Sequence, residues 1–382
     1  MKKKFRDIQQ DILLNLARPL VYIWMWFDAK RKVHRDPLYK FCRKEPYILL
    51  ANHTYLFDVV HVPLRTWKVP FIIASQTLFT KQPTKFLVTQ VAHVISKAKG
   101  RSDTATMMNI FNVVKKGYPI LIFPEGDTTF YGETGYVENT TMKLIKKLKL
   151  DVVTCNVRGG YSSRPRWGTG KRSRHFIELY YKMSITKEAL AEMSLEQVTE
   201  IVNKELYHNE YEYQRKAMVP HRGKQLAEGL ENVIYVCPHC QAINSIKTHG
   251  NTFHCSSCNK EGRIDEYGFI HDFVFDNLVD WNKYQLGFTD KLRESEFETG
   301  ALLSYMDIQT YEQNEVGRVN VKHKKGELIF SGALEKTIPI SEITNPTITL
   351  RRDFGFYHDN LHYLVKLDNS SAAFLRSVQN KY

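Results

Sequence analysis

Short apolar runs alternate with longer, more polar stretches through the first half of the chain. The runs are rich in isoleucine, valine and phenylalanine, and their length is typical of buried strands. They are YILLA at 47–51, PFIIAS at 70–75, HVIS at 93–96, PILIF at 119–123, VVTCNV at 152–157 and HFIELYY at 175–181. Stretches long enough for helices separate the runs. The pattern therefore predicts an α/β fold with a mainly parallel sheet flanked by helices.

The first apolar run leads directly into ionisable residues. Residues 47–58 read YILLANHTYLFD, so Asn52 and His53 follow the strand and Asp58 comes five residues after the histidine. On a helix this step would separate His53 and Asp58 by about 140°, so the two can interact only across a loop. Neutral imidazole is a base near pH 7, and a carboxylate on its other nitrogen orients it. We therefore predict a base-catalytic pair at the rim of the sheet.

The spacing of this pair is not specific by itself. His271 and Asp276 have the same separation in HDFVFD, elsewhere in the chain. The alternative interpretation makes Asp58 a helix N-cap and His53 a hydrogen-bond donor of the loop.

A second polar loop follows another buried strand, in PILIFPEGDTTF at 119–130. Pro124 lacks the N–H that a central strand needs, so the strand ends near Phe123. Glu125 and Gly126 then turn the backbone outward. The alternative is a surface turn with a solvated Glu125. We expect this loop at the same edge of the sheet as the first.

The two loops together carry a resemblance. NHTYLFD and FPEG, in this order and about 70 residues apart, resemble the first and third motifs of the glycerol-phosphate O-acyltransferase family, which includes 1-acylglycerol-3-phosphate acyltransferases. The resemblance covers about residues 20–215 and implies an enzyme of phospholipid synthesis. It implies acyl transfer from acyl-CoA or acyl carrier protein to 1-acyl-sn-glycerol 3-phosphate, with His53 as general base oriented by Asp58. The substrate-binding residues that it implies in these two motifs are Asn52, Phe123, Pro124, Glu125 and Gly126.

The second motif of that family is altered in this chain. The family usually has an arginine shortly after an apolar strand, whereas Lys97 stands here and Arg101 follows. Lysine keeps the positive charge but cannot form the two parallel hydrogen bonds of arginine. We expect Lys97 and Arg101 to bind the acceptor's phosphate. Another hydroxyl acceptor, such as glycerol 3-phosphate, a different lipid or a glycan, remains an open alternative.

Residues 1–35 have the composition of a membrane-interface segment. Their unbroken apolar stretch, 20–27, holds two tryptophans and a tyrosine but is far shorter than the roughly 20 residues that span a bilayer. Residues 1–50 carry 12 lysines and arginines against five acidic residues, out of a net charge of +13. We expect this segment to lie on phospholipid at the cytoplasmic face of a bacterial membrane, as a peripheral or monotopic anchor. The alternative is an amphipathic helix buried against the domain.

Four of the six cysteines form a metal-binding pattern. Cys237, Cys240, Cys255 and Cys258 are spaced C-x2-C-x14-C-x2-C, which predicts a structural zinc ion in a ribbon at 235–265. The remaining two, Cys42 and Cys155, are expected to be ordinary buried thiols in a reducing compartment.

Zinc ribbons also occur in nucleic-acid-binding proteins, so a nucleic-acid binder with a degenerate acyltransferase domain is the alternative of a different class. Against it, the basic excess lies near the tryptophan-rich segment, away from the ribbon, and the chain has no basic-aromatic strand platform.

The rest of the chain completes the predicted domain organisation. Residues 36–234 are expected to form the acyltransferase domain with its C-terminal helices, among them one opened by a capping box at Ser194 and Gln197. Residues 266–382 read as strands and turns, with a hairpin at Asp359-Asn360 and a last helix near 371–379. A small β-rich domain closed by a helix resembles pleckstrin-homology and GRAM folds, which often contact lipids.

Overall fold

The computed structural model describes residues 2–75, 92–97, 104–173, 175–308, 310 and 312–379. The chain divides into two compact units. The N-terminal unit comprises residues 1–129, 133–163 and 174–217, and the C-terminal unit comprises residues 130–132, 164–173 and 218–382.

A mixed sheet forms the centre of the N-terminal unit. Within the described residues its seven strands are β1 (Ala29–Arg35), β2 (Ile48–Ala51), β3 (Phe71–Ser75), β4 (Val94–Lys97), β5 (Ile120–Ile122), β6 (Val152–Arg158) and β7 (His175–Ile185). Their order in the sheet is β1-β7-β6-β2-β5-β3-β4. Every neighbouring pair is parallel except β6 and β7. The predicted fold class is confirmed, since six of these strands match the six apolar runs.

The helices of this unit connect and flank the strands. Those that the structure describes are α1 (Lys2–Asp28), α2 (Asp58–His61), α3 (Thr104–Lys115), α4 (Asn139–Leu148), α5 (Gly160–Ser163), α6 (Lys187–Glu192), α7 (Leu195–Leu206) and α8 (Glu210–Ala217). The predicted capping box at the start of α7 is present, with Ser194 and Gln197 bonding each other's backbone N–H. Among the residues that the structure describes, no helix is both long and apolar enough to cross a membrane.

Strand β2 shows why the apolar runs are continuous in sequence. Ile48 and Leu50 pack into the core on one side of the sheet, and Leu49 and Ala51 pack into the core on the other. Strands buried on both faces lose the usual alternation of apolar and polar residues. Strand β1, AKRKVHR, was not predicted because it lacks this two-sided burial. It lies at the sheet edge with part of its surface exposed, so its sequence is not a continuous apolar run.

The C-terminal unit contains two antiparallel sheets. The smaller one joins β8 (Ile246–His249), β9 (Thr252–Cys255), β10 (Glu261–Ile264) and β11 (Ile270–His271) in the order β11-β10-β9-β8. Helices α9 (Leu278–Leu286) and α10 (Thr289–Glu294) follow it.

The larger sheet has the order β15-β14-β13-β12-β18-β17-β16. Its strands are β12 (Phe297–Asp307), β13 (Gln313–Lys324), β14 (Glu327–Gly332), β15 (Lys336–Pro339), β16 (Thr344–Thr349), β17 (Asp353–His358) and β18 (Leu361–Leu367), followed by α11 (Ser371–Val378). The predicted hairpin is confirmed: Asp359 and Asn360 have φ values of 48° and 59°, as a type I′ turn requires.

Candidate active site and metal centre

The two motif loops begin side by side. Strands β2 and β5 are parallel neighbours and end at Ala51 and Ile122. Because carboxyl ends of parallel strands meet at one edge of a sheet, the loops that carry His53 and Glu125 share that edge. Gly126 makes the second turn possible: its N–H donates to the Phe123 carbonyl at 3.0 Å, and its φ of +72° is the left-handed conformation that glycine adopts without strain.

His53 and Asp58 form a hydrogen-bonded pair across the first loop. The distance from His53 Nδ1 to Asp58 Oδ2 is 3.2 Å, and the Asp58 side chain is fully buried. The same carboxylate accepts the backbone N–H of Thr54 at 2.6 Å and of Tyr55 at 2.9 Å, and the Thr54 hydroxyl at 3.1 Å. These donors stabilise a buried negative charge. A carboxylate that accepts from Nδ1–H leaves the Nε2 lone pair to act as a base.

Asp58 does not act as an N-cap here. It is the first residue of α2, and its carboxylate bonds N–H groups that precede it, whereas an N-cap bonds N–H groups that follow it.

The His53 ring is held by packing as well. It stacks on Phe123 with ring centroids 4.3 Å apart and an interplanar angle of 29°. The His53 side chain keeps 14% of its surface exposed, so a small group can still approach it.

Glu125 contacts the loop of the first motif. Its Oε1 accepts the backbone N–H of His53 at 2.8 Å, and its Oε2 accepts the N–H of Gly135 at 2.7 Å. Burial raises the pKa of Glu125 to about 7, although both backbone donors and the nearby His53 favour the charged form. These two hydrogen bonds mean that both carboxylate oxygens of Glu125 already bind the protein's own backbone.

Asn52 is also engaged within the fold. Its side-chain amide donates to the Val157 carbonyl at 2.9 Å and accepts the Val157 N–H at 2.7 Å. This pair of bonds imitates one more step of strand pairing beyond the end of β2, between β2 and β6. Asn52 is 2% exposed and holds the start of the first motif loop in place.

The structure reveals supporting residues that the sequence analysis missed. The Thr129 N–H donates to the His53 carbonyl at 2.9 Å, so both backbone polar groups of His53 are bound. Gly160 lies so close to Thr54 that a Cβ on it would be 2.0 Å from the threonine hydroxyl. The buried Glu210 carboxylate holds α5 there by accepting the N–H groups of Gly159 and Ser162 at 3.0 Å each. These residues lie far apart in the sequence, so no local sequence pattern predicts the contacts between them.

The residues expected to bind phosphate are placed in part. Lys97 is the last residue of β4, at the same edge of the sheet as the motif loops. Strand β4 is three strands from β2, about 14 Å at the usual strand spacing. Arg101 lies outside the described residues.

The four cysteines of the C-terminal unit converge. Their Sγ atoms lie within 4.8 Å of one another, with 3.9 Å between Cys237 and Cys258 and 3.6 Å between Cys240 and Cys255. Four thiolates at about 2.3 Å from a tetrahedral Zn²⁺ would be about 3.8 Å apart. The donor set and its spacing therefore fit a structural zinc ion with all four positions filled by protein.

The two cysteine pairs have the same turn geometry. Gln241 follows Cys240 and Asn259 follows Cys258, both with φ near +58°, and each donates its N–H to the carbonyl of the first cysteine of its pair. Burial tends to raise the pKa of Cys255, but hydrogen bonds from Ser245 and from the backbone lower it to about 6. Burial raises the pKa of Cys237 to about 12 and also raises that of Cys240, so among these three thiols only Cys255 is shifted towards the thiolate. Thiolates are the form that binds zinc.

The structure also bears on the predictions made for Cys42, Cys155 and His271. Cys155 is buried as predicted, but the prediction for Cys42 is wrong because its side chain is exposed. His271, which has the same spacing to Asp276 as His53 has to Asp58, pairs with Asp265 at 2.6 Å. The Asp265 side chain is 19% exposed, whereas Asp58 is fully buried, so the shared spacing does not by itself create the environment of the His53 pair.

Comparisons with known proteins found similarity in the N-terminal region of the chain. A sequence model described as Acyltransferase matches residues 30–158, which include both motif loops. A solved structure, the 1-acyl-sn-glycerophosphate (LPA) acyltransferase PlsC from Thermotoga maritima, is similar at 16% identity and a TM-score of 0.39, over 53% of this chain and 80% of that chain. The comparison with curated proteins gave no match. Residues 30–158, about a third of the chain, are therefore similar in sequence to the acyltransferase family, and both motif loops lie within the matched region.

Proposed function

We propose that this chain transfers a fatty acyl group from an acyl thioester, either acyl-CoA or acyl carrier protein, to the free hydroxyl of 1-acyl-sn-glycerol 3-phosphate. The observation that carries the proposal is the hydrogen bond between His53 Nδ1 and the buried Asp58 carboxylate at the carboxyl edge of the sheet. This pair lies in the region that matches the acyltransferase family.

The chemistry requires one base. The acceptor's hydroxyl gives its proton to His53 Nε2 as its oxygen attacks the thioester carbonyl. Asp58 stabilises the imidazolium that forms. The tetrahedral intermediate then expels the thiolate, which takes the proton from His53, so the enzyme is regenerated without a covalent intermediate. A positioned base of this kind contributes roughly 10² to 10⁴ in rate.

The other motif residues serve this pair in different ways. Glu125, Asn52 and Thr129 hold the backbone around His53 through the bonds described above. Both Glu125 oxygens already accept backbone N–H groups, which supports a positioning role for this residue. Lys97 and Arg101 supply the positive charge for the acceptor's phosphate.

The chain acts at a membrane surface in this proposal. Leu13, Leu16, Leu20, Ile23, Trp24 and Phe27, the apolar stripe of α1, recur at helical spacing and are 49–70% exposed. The neighbouring Lys30 and Lys32 are exposed as well, so anionic phospholipid complements the surface in both polarity and charge. Docking at the cytoplasmic face of a bacterial membrane would bring the site to its lipid acceptor. In the C-terminal unit, the four cysteines hold zinc as a structural element.

The test measures products from the purified full-length chain. Labelled acyl-CoA and acyl carrier protein are each supplied with lysophosphatidate, glycerol 3-phosphate, other lysophospholipids or glycan alcohols, because the lysine in motif two leaves the acceptor to be established. We expect phosphatidate from lysophosphatidate, and a loss of at least 100-fold in His53→Ala. His271→Ala, the matched histidine with the same spacing to an aspartate, should keep full activity. Absence of transfer from every thioester, or full activity in His53→Ala, would refute the proposal.

A further inference from the structure

Helix α1 ends on an acidic residue in an unfavourable place. Asp28 is the last residue of α1, where the partial negative charge of the helix terminus repels a carboxylate. Its side chain is nevertheless 6% exposed. A carboxylate buried there must be stabilised by specific partners.

Those partners lie on the first motif loop and on the helix that follows it. Asp28 Oδ2 accepts the Tyr55 hydroxyl at 3.1 Å and faces His61 Nε2 at 3.2 Å. Tyr55 is 1% exposed and His61 is fully buried. Arg31 Nη1 lies 3.3 Å from His61 Nδ1. Because arginine is always a donor, His61 Nδ1 must accept, and its Nε2 carries the proton that Asp28 receives.

Tyr55 links Asp28 to the catalytic pair. Its hydroxyl is bound by Asp28, and its backbone N–H is bound by Asp58 Oδ2 at 2.9 Å. The same Asp58 oxygen holds His53 Nδ1. Asp28, at the end of α1, is therefore connected to His53 through Tyr55 and Asp58. Hydrogen bonds join these residues to one another, and the covalent framework of Tyr55 joins its hydroxyl to its N–H.

Two further contacts fasten α1 to the same region. Trp24 packs edge-on against Phe57, with ring centroids 5.6 Å apart. Arg18 donates to the carbonyls of Leu64 at 2.9 Å and Trp67 at 3.1 Å. Arg18 lies on the side of α1 away from the exposed apolar stripe, whereas Trp24 belongs to the stripe and contacts Phe57 from its margin, so one helix carries both surfaces.

We propose that Asp28, with Tyr55, is a positioning device that makes catalysis depend on lipid docking: a membrane that immobilises α1 also fixes the loop that carries His53. The inference rests on the proposed function and adds its regulation by the lipid surface. Without lipid, the stripe faces water and only the contacts described above would restrain α1 against the loop.

The test separates vesicle binding from activation. Acyl transfer to a short-chain, monomeric lysophosphatidate is measured with and without phosphatidylglycerol vesicles that contain no acceptor. Wild-type protein should be stimulated roughly threefold to tenfold in kcat, the effect of about one hydrogen bond. Tyr55→Phe and Asp28→Ala should bind the vesicles as wild type does and lose the stimulation. Tyr39→Phe, which removes a hydroxyl from another tyrosine of the same core, should retain it.

A second readout does not need activity. Hydrogen exchange of the amides of residues 53–61 should slow when wild-type protein binds vesicles, and should stay unchanged in Tyr55→Phe. If wild-type protein shows no acyl transfer, the proposed function fails while this exchange measurement still decides the coupling. If Tyr55→Phe is stimulated and protected like wild type, the coupling is refuted and the enzymatic proposal stands.

Discussion

The Glu125 carboxylate accepts the backbone N–H of His53 at 2.8 Å, across 72 residues of sequence. Its other oxygen accepts the N–H of Gly135, so this side chain joins two loops around the base. We therefore propose that Glu125 acts by setting the position of His53.

We expect Glu125→Gln to lower kcat by roughly tenfold or more while leaving the KM for the phosphorylated acceptor nearly unchanged. Glutamine has one acceptor oxygen in place of two, so the N–H of His53 or of Gly135 loses its partner. Leaving the partly buried His53 N–H unpaired would cost about 1–3 kcal/mol, whereas the exposed Gly135 N–H can bond to water. Steady-state kinetics at varied acceptor concentration provide the measurement, with Glu138→Gln as a control from the following segment. A large rise in KM at constant kcat would instead favour direct contact with the acceptor.

Asp58→Asn should reduce kcat by roughly 10² to 10⁴, like removal of the base. The uncharged amide cannot stabilise the imidazolium. Its NH₂ group would also replace a carboxylate oxygen that accepts hydrogen bonds, so a donor would face the donors of Thr54 and Tyr55. Rates across pH 5–9 check this, with circular dichroism to show that the variant is folded. A folded Asp58→Asn protein with the wild-type pH profile would contradict the role of Asp58.

His323 makes the C-terminal unit sensitive to acid. The side chain is fully buried in β13, and burial lowers its pKa below 6.5, although its Nδ1 hydrogen bond to the Ser295 carbonyl opposes this. Within the described residues, its Nε2 has no hydrogen-bond partner. Below about pH 6.5 the unfolded chain takes up a proton that the folded protein resists, so stability falls with decreasing pH.

Denaturant unfolding at several pH values measures this effect. The stability of wild-type protein should decrease from pH 7 to pH 5, and His323→Gln, which does not titrate there, should show a shallower decrease. Equal slopes for both proteins would show that His323 is not responsible.

Replacing one zinc ligand should abolish stoichiometric metal binding. Cys237→Ser removes a soft ligand from a closed site of four, and structural zinc contributes directly to folding. We expect wild-type protein to contain one zinc per chain by elemental analysis and the variant to contain little, with a lower Tm. Cys42→Ser, which alters an exposed cysteine, should retain both. Full zinc content in Cys237→Ser would exclude the proposed site.

The apolar stripe of α1 should govern lipid binding. Leu16→Asp with Leu20→Asp places two charges on side chains that are each 70% exposed, so folding should be little affected while partition to anionic vesicles falls by more than tenfold. Leu350→Asp, at an exposed leucine of the C-terminal unit, is the matched control. Vesicle flotation measures binding. If the stripe instead joins two copies of the chain, wild-type protein will sediment as a dimer and will not float.

The amino-acid sequence was sufficient for the elements whose signals are local. Two-sided burial makes β2, β5 and β6 continuous apolar runs, which are recognisable without neighbours. The Asp359-Asn360 turn and the cysteine spacing likewise depend on a few adjacent residues. Strand β1 was not predicted because a strand at an exposed sheet edge can contain basic residues. In the sequence, these basic residues look the same as those of a membrane-binding segment.

By itself, the sequence predicted the order of the motifs, the α/β class and the candidate base with its candidate carboxylate partner, because each of these signals resides in a short stretch of residues. Only the tertiary structure decided that His53 pairs with Asp58 and His271 with Asp265, that both oxygens of Glu125 accept backbone N–H groups, and that Asp28 accepts the Tyr55 hydroxyl. These contacts depend on which strands lie side by side and on which groups are buried together. Such proximity arises from packing of the whole unit, so no short stretch of residues encodes it.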